Sequence, residues 1–325
     1  TQALAIARDT GNHRDEGSAL DNLGICHASL GDYRQAIDLH TQALAIYRDI
    51  GYRSGEGSAL GNLGRCYSNL GNYEQAIDML TKALTIACDI GHRIGEGRRM
   101  GGLARCQAAL GDSRQALDLG TQALAIARDI GDRHGEALAL DSLGQAWLAS
   151  DDLRQAAALL EHAIRVADAT GDVAPAVIAR SGLARAQLQL GDPVAALATT
   201  TAREELPYPA EEPTIQLLEG LALLELHRVD DAAGAFTGAL TAADGLLALT
   251  ESNVAALQAR ALVLAGLAAA TSDPAWATEA ASAFTHARAI TNAAGVTTGT
   301  QRLLKMITAH DQPGVLTGLR ALQGP

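Results

Sequence analysis

The chain has 325 residues, of which only 3% are aromatic, and its formal net charge is −12. Nucleic-acid binding requires a basic surface, so this charge argues against that class of partner. No apolar run approaches the roughly 20 residues of a membrane span, and the N-terminus lacks the basic region of a signal peptide. Four cysteines in so long a chain do not form a disulfide framework. We therefore predict a cytoplasmic protein with no nucleic-acid or membrane partner.

An internal repeat of 40 residues dominates the first part of the chain. The segment Thr-Gln-Ala-Leu-Ala-Ile begins at Thr1, Thr41 and Thr121, and a close variant begins at Thr81. A fixed period of this length is typical of solenoids, in which each repeat packs only on its neighbours. We predict that residues 1–200 form one regular array.

Each copy of the repeat predicts two helices joined by a tight turn. Apolar residues recur three and four positions apart over residues 19–30, and again over residues 36–46. Between them, Gly31 can take the left-handed conformation that ends a helix, and Asp32 can cap the next one. The repeat unit is therefore helix A, turn, helix B, loop.

Two glycines lie inside the first helix of their copies, at Gly24 and Gly64. A glycine in a helix interior costs about 1 kcal/mol relative to alanine. We predict that these glycines mark points where helix B of the same unit crosses closely.

Charged residues recur in the loops before each helix A. Arginines at 53, 93 and 133 precede glutamates at 56, 96 and 136. We interpret them as local ion pairs of about 0.5 kcal/mol each, with a structural role.

The signature residues resemble those of the tetratricopeptide repeat. In the first copy they are Leu20, Leu23, Gly24, His27, Gly31, Ala36, His40 and Ala43. The usual repeat has 34 residues; this longer variant is similar to repeats of the Leu-Gly-Asn cell-polarity scaffolds. It also resembles the C-terminal arrays of bacterial NB-ARC/STAND signalling ATPases, including actinomycete transcriptional regulators. The resemblance implies an all-α, right-handed superhelical solenoid of antiparallel helix pairs, with about seven or eight repeats.

An acidic, proline-rich stretch at 201–214 interrupts the pattern. Arg203 stands where a small residue is expected, and the stretch contains Glu204, Glu205, Pro207, Pro209, Glu211, Glu212 and Pro213. Because proline interrupts helices, we predict a boundary there, followed by degenerate repeats and a C-terminal cap over residues 215–325. A last helix pair is expected at Thr298–Ala309 and Pro313–Leu322.

Thr1 aligns with Thr41, which lies well inside a helix B. The sequence is therefore expected to belong to a longer polypeptide. The nucleotide-binding part of the resembling ATPases would then lie upstream.

No catalytic or nucleotide-binding motif is found, so we predict no enzyme activity and no cofactor. Cys26, Cys66 and Cys106 follow the 40-residue period. A zinc site needs ligands about 2.3 Å from the metal, whereas neighbouring helix axes lie about 8–10 Å apart. We interpret these cysteines as small buried hydrophobic residues and predict no metal site.

One position on the A helices suggests a binding surface, because in tetratricopeptide arrays these helices line a concave groove. This position is occupied by Ile25, Arg65, Arg105, Gln145 and Arg185. Guanidinium groups bind carboxylates and phosphates through paired hydrogen bonds, so the column suits an acidic ligand.

Neighbouring positions extend this surface. Asn22 and Asn62 resemble the groove asparagines that hold an extended peptide backbone in the family, and Arg98 adds positive charge. The alternative is that the arginines pair with carboxylates such as Asp21 and Asp141 and only solubilise the groove.

The predicted function is a protein- or peptide-binding scaffold, the sensor or regulatory region of a larger bacterial signalling or transcription-regulating protein. The alternative is a structural role. Near-identical repeats would then assemble end to end through the exposed N-terminal helix face of Ala3, Leu4 and Ile6.

Overall fold

The computed structural model describes residues 2–202, 208–311 and 314–320, which form helices and connections without a strand. The helices are α1 Gln2–Asp9, α2 His13–Ser29, α3 Tyr33–Asp49, α4 Arg53–Asn69, α5 Tyr73–Asp89, α6 Arg93–Leu110, α7 Ser113–Asp129, α8 Arg133–Ala149, α9 Leu153–Thr170, α10 Val173–Gln189, α11 Pro193–Thr201, α12 Glu212–Glu225, α13 Val229–Leu249, α14 Val254–Thr271, α15 Pro274–Ile290, α16 Ala294–Ala309 and α17 Thr317–Arg320. Arg203, Glu204, Glu205, Pro207, Pro313 and Leu322 of the predicted break and last pair lie outside the described residues.

Consecutive helices pack as pairs. The A helices α2, α4, α6, α8, α10, α12 and α14 pack on the B helices that follow them, and each A helix also contacts the next A helix. This arrangement confirms the predicted all-α solenoid of helix pairs.

The turns have the predicted chemistry. Gly31 has a φ of +84°, which only glycine adopts readily. Asp32 then caps α3, because its Oδ1 accepts a hydrogen bond from the Gln35 backbone N–H at 3.2 Å. The left-handed glycine recurs at Gly11, Gly51, Gly71, Gly91, Gly111, Gly131, Gly171 and Gly191.

The glycines inside the A helices lie where helix B crosses. A Cβ atom at Gly24 would stand 2.6 Å from the His40 ring of α3, and one at Gly64 would stand 2.7 Å from Leu80 of α5. Both distances are too short for real contacts, so the predicted close approach is confirmed.

The loop ion pairs also form, and Glu56 and Glu136 each have a second arginine partner. Arg53 Nη1 lies 2.6 Å from Glu56 Oε2, and Arg48 from the preceding helix B lies 3.0 Å from Glu56 Oε1. Burial raises the pKa of Glu56, but the hydrogen bonds from the two arginines outweigh it and lower the pKa overall.

The hydrophobic core continues past the proline-rich stretch. Ala196 of α11 belongs to the same buried cluster as Phe236 of α13 and Leu264 of α14. Pro213 lies in the first turn of α12, where its missing N–H has no helical partner to lose. The last long helix begins at Ala294, four residues before the expected start at Thr298.

The solenoid closes on itself. The turns of the first repeats contact the C-terminal helices: the Tyr33 backbone N–H donates to Thr250 Oγ1 at 3.1 Å, and Arg34 lies 3.2 Å from the Glu251 carboxylate. Further along the array, α16 packs against α6 and α8. The A helices of the two halves therefore face each other across an interior space.

Two helices in the described ranges, α13 and α14, are long and apolar enough to cross a membrane by length and composition. The expectation that no apolar run approaches such a length was therefore wrong. It failed because alanine, glycine and leucine make these helices apolar without a conspicuous hydrophobic run. In the structure α14 is largely buried, as a core helix, and α13 packs on α12 and α14.

Candidate binding site on the inner face

The predicted column divides into an open and a closed part. On α2 and α4, Ile25 and Arg65 are exposed. On α6, α8 and α10, Arg105, Gln145 and Arg185 line a cavity of 330 Å³. We call the first part the open face and the second the closed cavity.

The closed cavity has walls from both halves of the solenoid. Residues of α6, α8 and α10 form one wall, and residues of α12, α14 and α16 form the other. Arg302 of α16 joins the two walls, because it donates to the Leu148 carbonyl oxygen at 2.9 Å and lies 3.1 Å from the Asp151 carboxylate. The cavity therefore exists only while the array is closed.

Polar side chains run along the α8 and α10 side of this cavity. Arg185 donates a hydrogen bond to Gln145 Oε1, and Gln145 Nε2 donates to Asp141 Oδ1 at 3.2 Å. Asp141 is buried, and burial raises the pKa of its carboxyl in spite of the nearby Arg105. Asp141 is therefore tied to an amide rather than to an arginine.

A second carboxyl group enters the cavity from the start of α12. Burial, with a smaller contribution from the charge of Asp141, outweighs the hydrogen bond with Ser181 and raises the pKa of Glu211 to about 7. The sequence pattern placed Glu211 in a loop at a boundary. Its burial follows from contacts between distant helices, which residue spacing does not reveal.

Asp21 and Asn62 lie together near the open face. Asn62 Nδ2 donates to both carboxylate oxygens of Asp21 at 3.2 Å, and His40 Nδ1 lies 2.6 Å from Asp21 Oδ1. Asp21 is therefore occupied by an amide and an imidazole, not by an arginine. Asn22 is exposed and makes no side-chain hydrogen bond within the described part of the chain.

Arg99 is a further residue of the open face that sequence reasoning missed. Burial, together with the neighbouring charges of Arg65 and Arg98, lowers the pKa of Arg99 to about 10. A Cβ atom at Gly61 would stand 2.1 Å from the Arg99 guanidinium carbon, so this side chain lies directly over Gly61.

The signal for Arg99 was present in the repeat. The equivalent positions are alanine at 19, 59, 139 and 179, so an arginine at 99 is an exception. The neighbouring column carries Asp21, Asp141 and Ser181 but glycine at 61 and 101. The space left at Gly61 is the space that Arg99 fills.

The arginines of the column differ in their partners. Arg98 lies 3.4 Å from the Asp132 carboxylate. Among the described residues, Arg65 and Arg105 make no hydrogen bond or ion pair. Neither Asp21 nor Asp141 forms an ion pair with an arginine of the column, although the charges of Arg105 and Arg185 act on Asp141.

The cysteines in the described residues do not come together in one cluster. Cys66 and Cys106 are buried, and burial raises the pKa of Cys66 to about 11. Cys26 is exposed, contrary to expectation, because no preceding helix A packs on that flank of α2. Across the described ranges, no group of three or more His, Cys, Asp or Glu side chains converges.

Helix pairs stacked into a closed superhelix, with polar side chains on the inner A helices, define an α-helical solenoid of the repeat class. Residues 1–49 and 55–129 match the family model described as "Tetratricopeptide repeat". This part of the chain, which is less than half of its length, is therefore similar to the tetratricopeptide repeat family. No curated protein sequence matches the chain.

Solved structures support the same fold. A Rap protein complexed with Competence and Sporulation Factor is similar at 14% identity and a TM-score of 0.58, covering 92% of this chain and 76% of that one. Aspartyl phosphate phosphatase F from Bacillus subtilis is similar at 14% identity and a TM-score of 0.55, covering 90% and 75%. At such low identity the likeness concerns the fold.

Proposed function

We propose that the protein is a protein- or peptide-binding scaffold, acting as the sensor or regulatory region of a larger bacterial signalling or transcription-regulating protein. The repeat family supports the scaffold role. The similar Rap structure is a complex with Competence and Sporulation Factor, and a similar fold that holds another molecule supports a binding role for this chain. We further propose a cytoplasmic location and a non-catalytic role, since the sequence has no catalytic motif.

The open face carries this proposal. Arg65 is exposed without a carboxylate partner among the described residues, and Arg99 lies beside it. Asn22 adds a free amide one repeat away. An extended segment with an acidic side chain would supply the missing carboxylate, and its backbone could pair with the amide. The partner we propose is therefore an acidic peptide or an acidic segment of a protein.

A peptide array tests this proposal. Peptides with Asp or Glu at fixed positions are compared with the same peptides carrying Asn or Gln, at two salt concentrations. We expect the acidic members to bind and their amide counterparts to lose binding, because the interaction depends on charge. Equal binding of acidic and amide peptides would argue against the proposed partner class.

End-to-end assembly is the alternative role, and α1 is the surface it would use. Ile6 is 55% exposed there, so an apolar contact with another copy is sterically available. Sedimentation velocity over a wide concentration range tests it. A single monomeric species throughout would exclude this role.

A further inference from the structure

The closed cavity contains positive charge that the protein does not neutralise. Arg185 uses one donor for the Gln145 amide oxygen, and its Nε–H is buried without a partner. Arg105, on the opposite side of Gln145 along the column, makes no hydrogen bond or ion pair with any described residue. A guanidinium has five donors, and a buried charge without a partner is strongly unfavourable. Arg185 is such a group, and the half-buried Arg105 faces the same cavity, so the pair indicates a site for an anion.

The carboxyl groups around the cavity do not serve as that anion. Asp141 accepts a hydrogen bond from Gln145, and burial favours its neutral form. Glu211 hydrogen-bonds with Ser181 and Thr214. Arg302 has its own carboxylate, on Asp151. None of the ion pairs in the described part of the chain joins Asp141 or Glu211 to Arg105 or Arg185.

The size of the cavity limits what can bind. Its 330 Å³ lies at the lower end of the range of about 300–1,000 Å³ for small-molecule sites. The remaining lining is mostly apolar, with Leu148, Leu217, Leu262 and Val296, and includes the hydroxyl of Thr298. This combination of an apolar body and a few convergent polar groups is typical of small-ligand pockets. An extended peptide of several residues would require the two walls to separate.

We propose that the closed cavity binds a small organic anion, a carboxylate or phosphate compound, whose oxyanion is held by Arg105 and Arg185. This goes beyond the proposed scaffold function, because the site is separate from the open face and takes a metabolite-sized ligand. The ligand contacts both walls, so its binding stabilises the closed form of the array. A scaffold with this site would couple the concentration of a small anion to the shape it presents to a partner.

Thermal unfolding and calorimetric titration test the proposal with defined probes. The probes are inorganic phosphate, acetate, succinate and glucose 6-phosphate, each against chloride at equal ionic strength. Succinamide and glucose are the neutral counterparts. We expect at least one anion at about 20 mM to raise Tm by about 1–3 °C, with no effect of its neutral counterpart.

Variants decide where the anion binds. Arg105→Gln keeps a polar side chain and breaks no contact of the described structure, and we expect it to weaken anion binding at least tenfold. Arg114→Gln, an exposed arginine on α7 outside the cavity, is the matched control and should leave binding unchanged. If Arg105→Gln does not fold, Arg185→Lys replaces it. Lysine keeps the positive charge but lacks the planar set of N–H donors that binds an oxyanion through paired hydrogen bonds.

Three results would overturn the proposal. One is that none of the anions shifts Tm relative to chloride, because the cavity would then hold only solvent. Another is anion binding that Arg105→Gln and Arg114→Gln affect equally. The last is that only acidic peptides, and no small anion, bind in a way that depends on Arg105. Loss of peptide binding through Arg65, in contrast, concerns the open face and tests the scaffold proposal separately.

Discussion

Glu211 is a carboxyl group that the fold places where a negative charge is disfavoured. Its pKa rises from 4.5 to about 7, mainly by burial, and it faces Asp141 of α8, Ser181 and Arg185 of α10 and Thr214 of α12. Tyr33 and Tyr208 also lie close enough to sense its charge. Between pH 4.5 and about 7 the folded protein therefore binds one proton more than the unfolded chain at this site.

This difference predicts how stability depends on pH. The stabilising contribution is complete below pH 4.5 and is lost as the pH rises to about 7, by roughly 3 kcal/mol in total. Urea unfolding at intervals from pH 4.5 to 8 measures it. The difference between wild type and Glu211→Gln should show this slope, since the amide does not titrate. Parallel profiles for the two proteins would contradict the assignment.

The glycines inside the A helices follow a packing rule at the points where helix B crosses. Gly24 faces His40, Gly64 faces Leu80 and Gly144 faces Leu160. In the third pair both residues change together: Ala104 replaces the glycine, and Gly120 replaces the large residue. In these four pairs, one of the two crossing positions is therefore a glycine.

We expect Gly64→Ala to destabilise the protein by about 1–3 kcal/mol, because the new methyl group meets Leu80 at 2.7 Å. The double variant Gly64→Ala/Leu80→Gly copies the natural Ala104 and Gly120 combination. A double-mutant cycle from denaturant unfolding should give a favourable coupling of about 1 kcal/mol or more. Strict additivity of the two single changes would contradict the rule.

The close approach at Gly24 and Gly64 could be predicted from the sequence, because a glycine on the apolar stripe of a helix leaves room for a second helix to cross there. The exchange at Ala104 and Gly120 could also have been found, since both positions follow the 40-residue period. Glu211 could not. No local pattern shows that an acidic residue beside prolines will be buried by helices from both halves.

At three of the joints between a helix B and the next helix A, two basic side chains contact one glutamate. Arg8 and His13 lie at Glu16, Arg48 and Arg53 at Glu56, and Arg128 and Arg133 at Glu136. Glu96 has Arg93 but no second arginine, because Cys88 occupies the helix B position. The third joint therefore lacks one of the two cations.

Cys88→Arg restores the missing cation. We expect it to stabilise the protein by about 0.5 kcal/mol, as is usual for a partly exposed ion pair. Cys88→Ala is the control for loss of the thiol, and high salt should reduce the gain. Denaturant unfolding of the three proteins measures the effect. A Cys88→Arg variant no more stable than Cys88→Ala would contradict this interpretation of the joint.

Helix identity and the turns between helices were predictable for α2 to α10, where the period is constant and glycine and aspartate mark most boundaries. The later helices were harder to delimit. From α12 to α16 the lengths range from 14 residues in α12 to 21 in α13, and the turn residues His227 and Ser272 take positive φ without being glycine. The start of α16 was therefore misplaced. The proposed boundary at 201–214 stays a prediction.

The closed shape of the whole molecule depends on contacts between residues far apart in the chain. Gly295 of α16 lies so close to α6 that a Cβ atom there would stand 2.1 Å from the Ala108 carbonyl oxygen. No periodic signal in the sequence pairs these two helices, because they belong to repeats of different length. The sequence thus predicted a solenoid but not its closure, and so placed all the column residues in one open groove.

Gly295→Ala tests the closure. Its methyl group meets backbone atoms, which cannot rotate away, so α16 must move off α6. We expect a larger radius of gyration in small-angle X-ray scattering and weaker binding of the small anion. Gly299→Ala in the same helix is the control for the scattering measurement only, because its nearest neighbour lies at 4.0 Å but is Arg185 of the cavity. Identical scattering from both variants would show that the contact does not hold the array closed.

Recognition of an acidic polypeptide by the open face is the central claim, and one equilibrium measurement tests it most directly. An acidic peptide that binds on the array is labelled, and its Kd is measured by fluorescence anisotropy with wild type, Arg65→Ala and Arg114→Ala. We expect Arg65→Ala to raise Kd about tenfold, a loss of about 1.4 kcal/mol, while Arg114→Ala on α7 leaves it unchanged. Equal Kd values for all three proteins would contradict the claim.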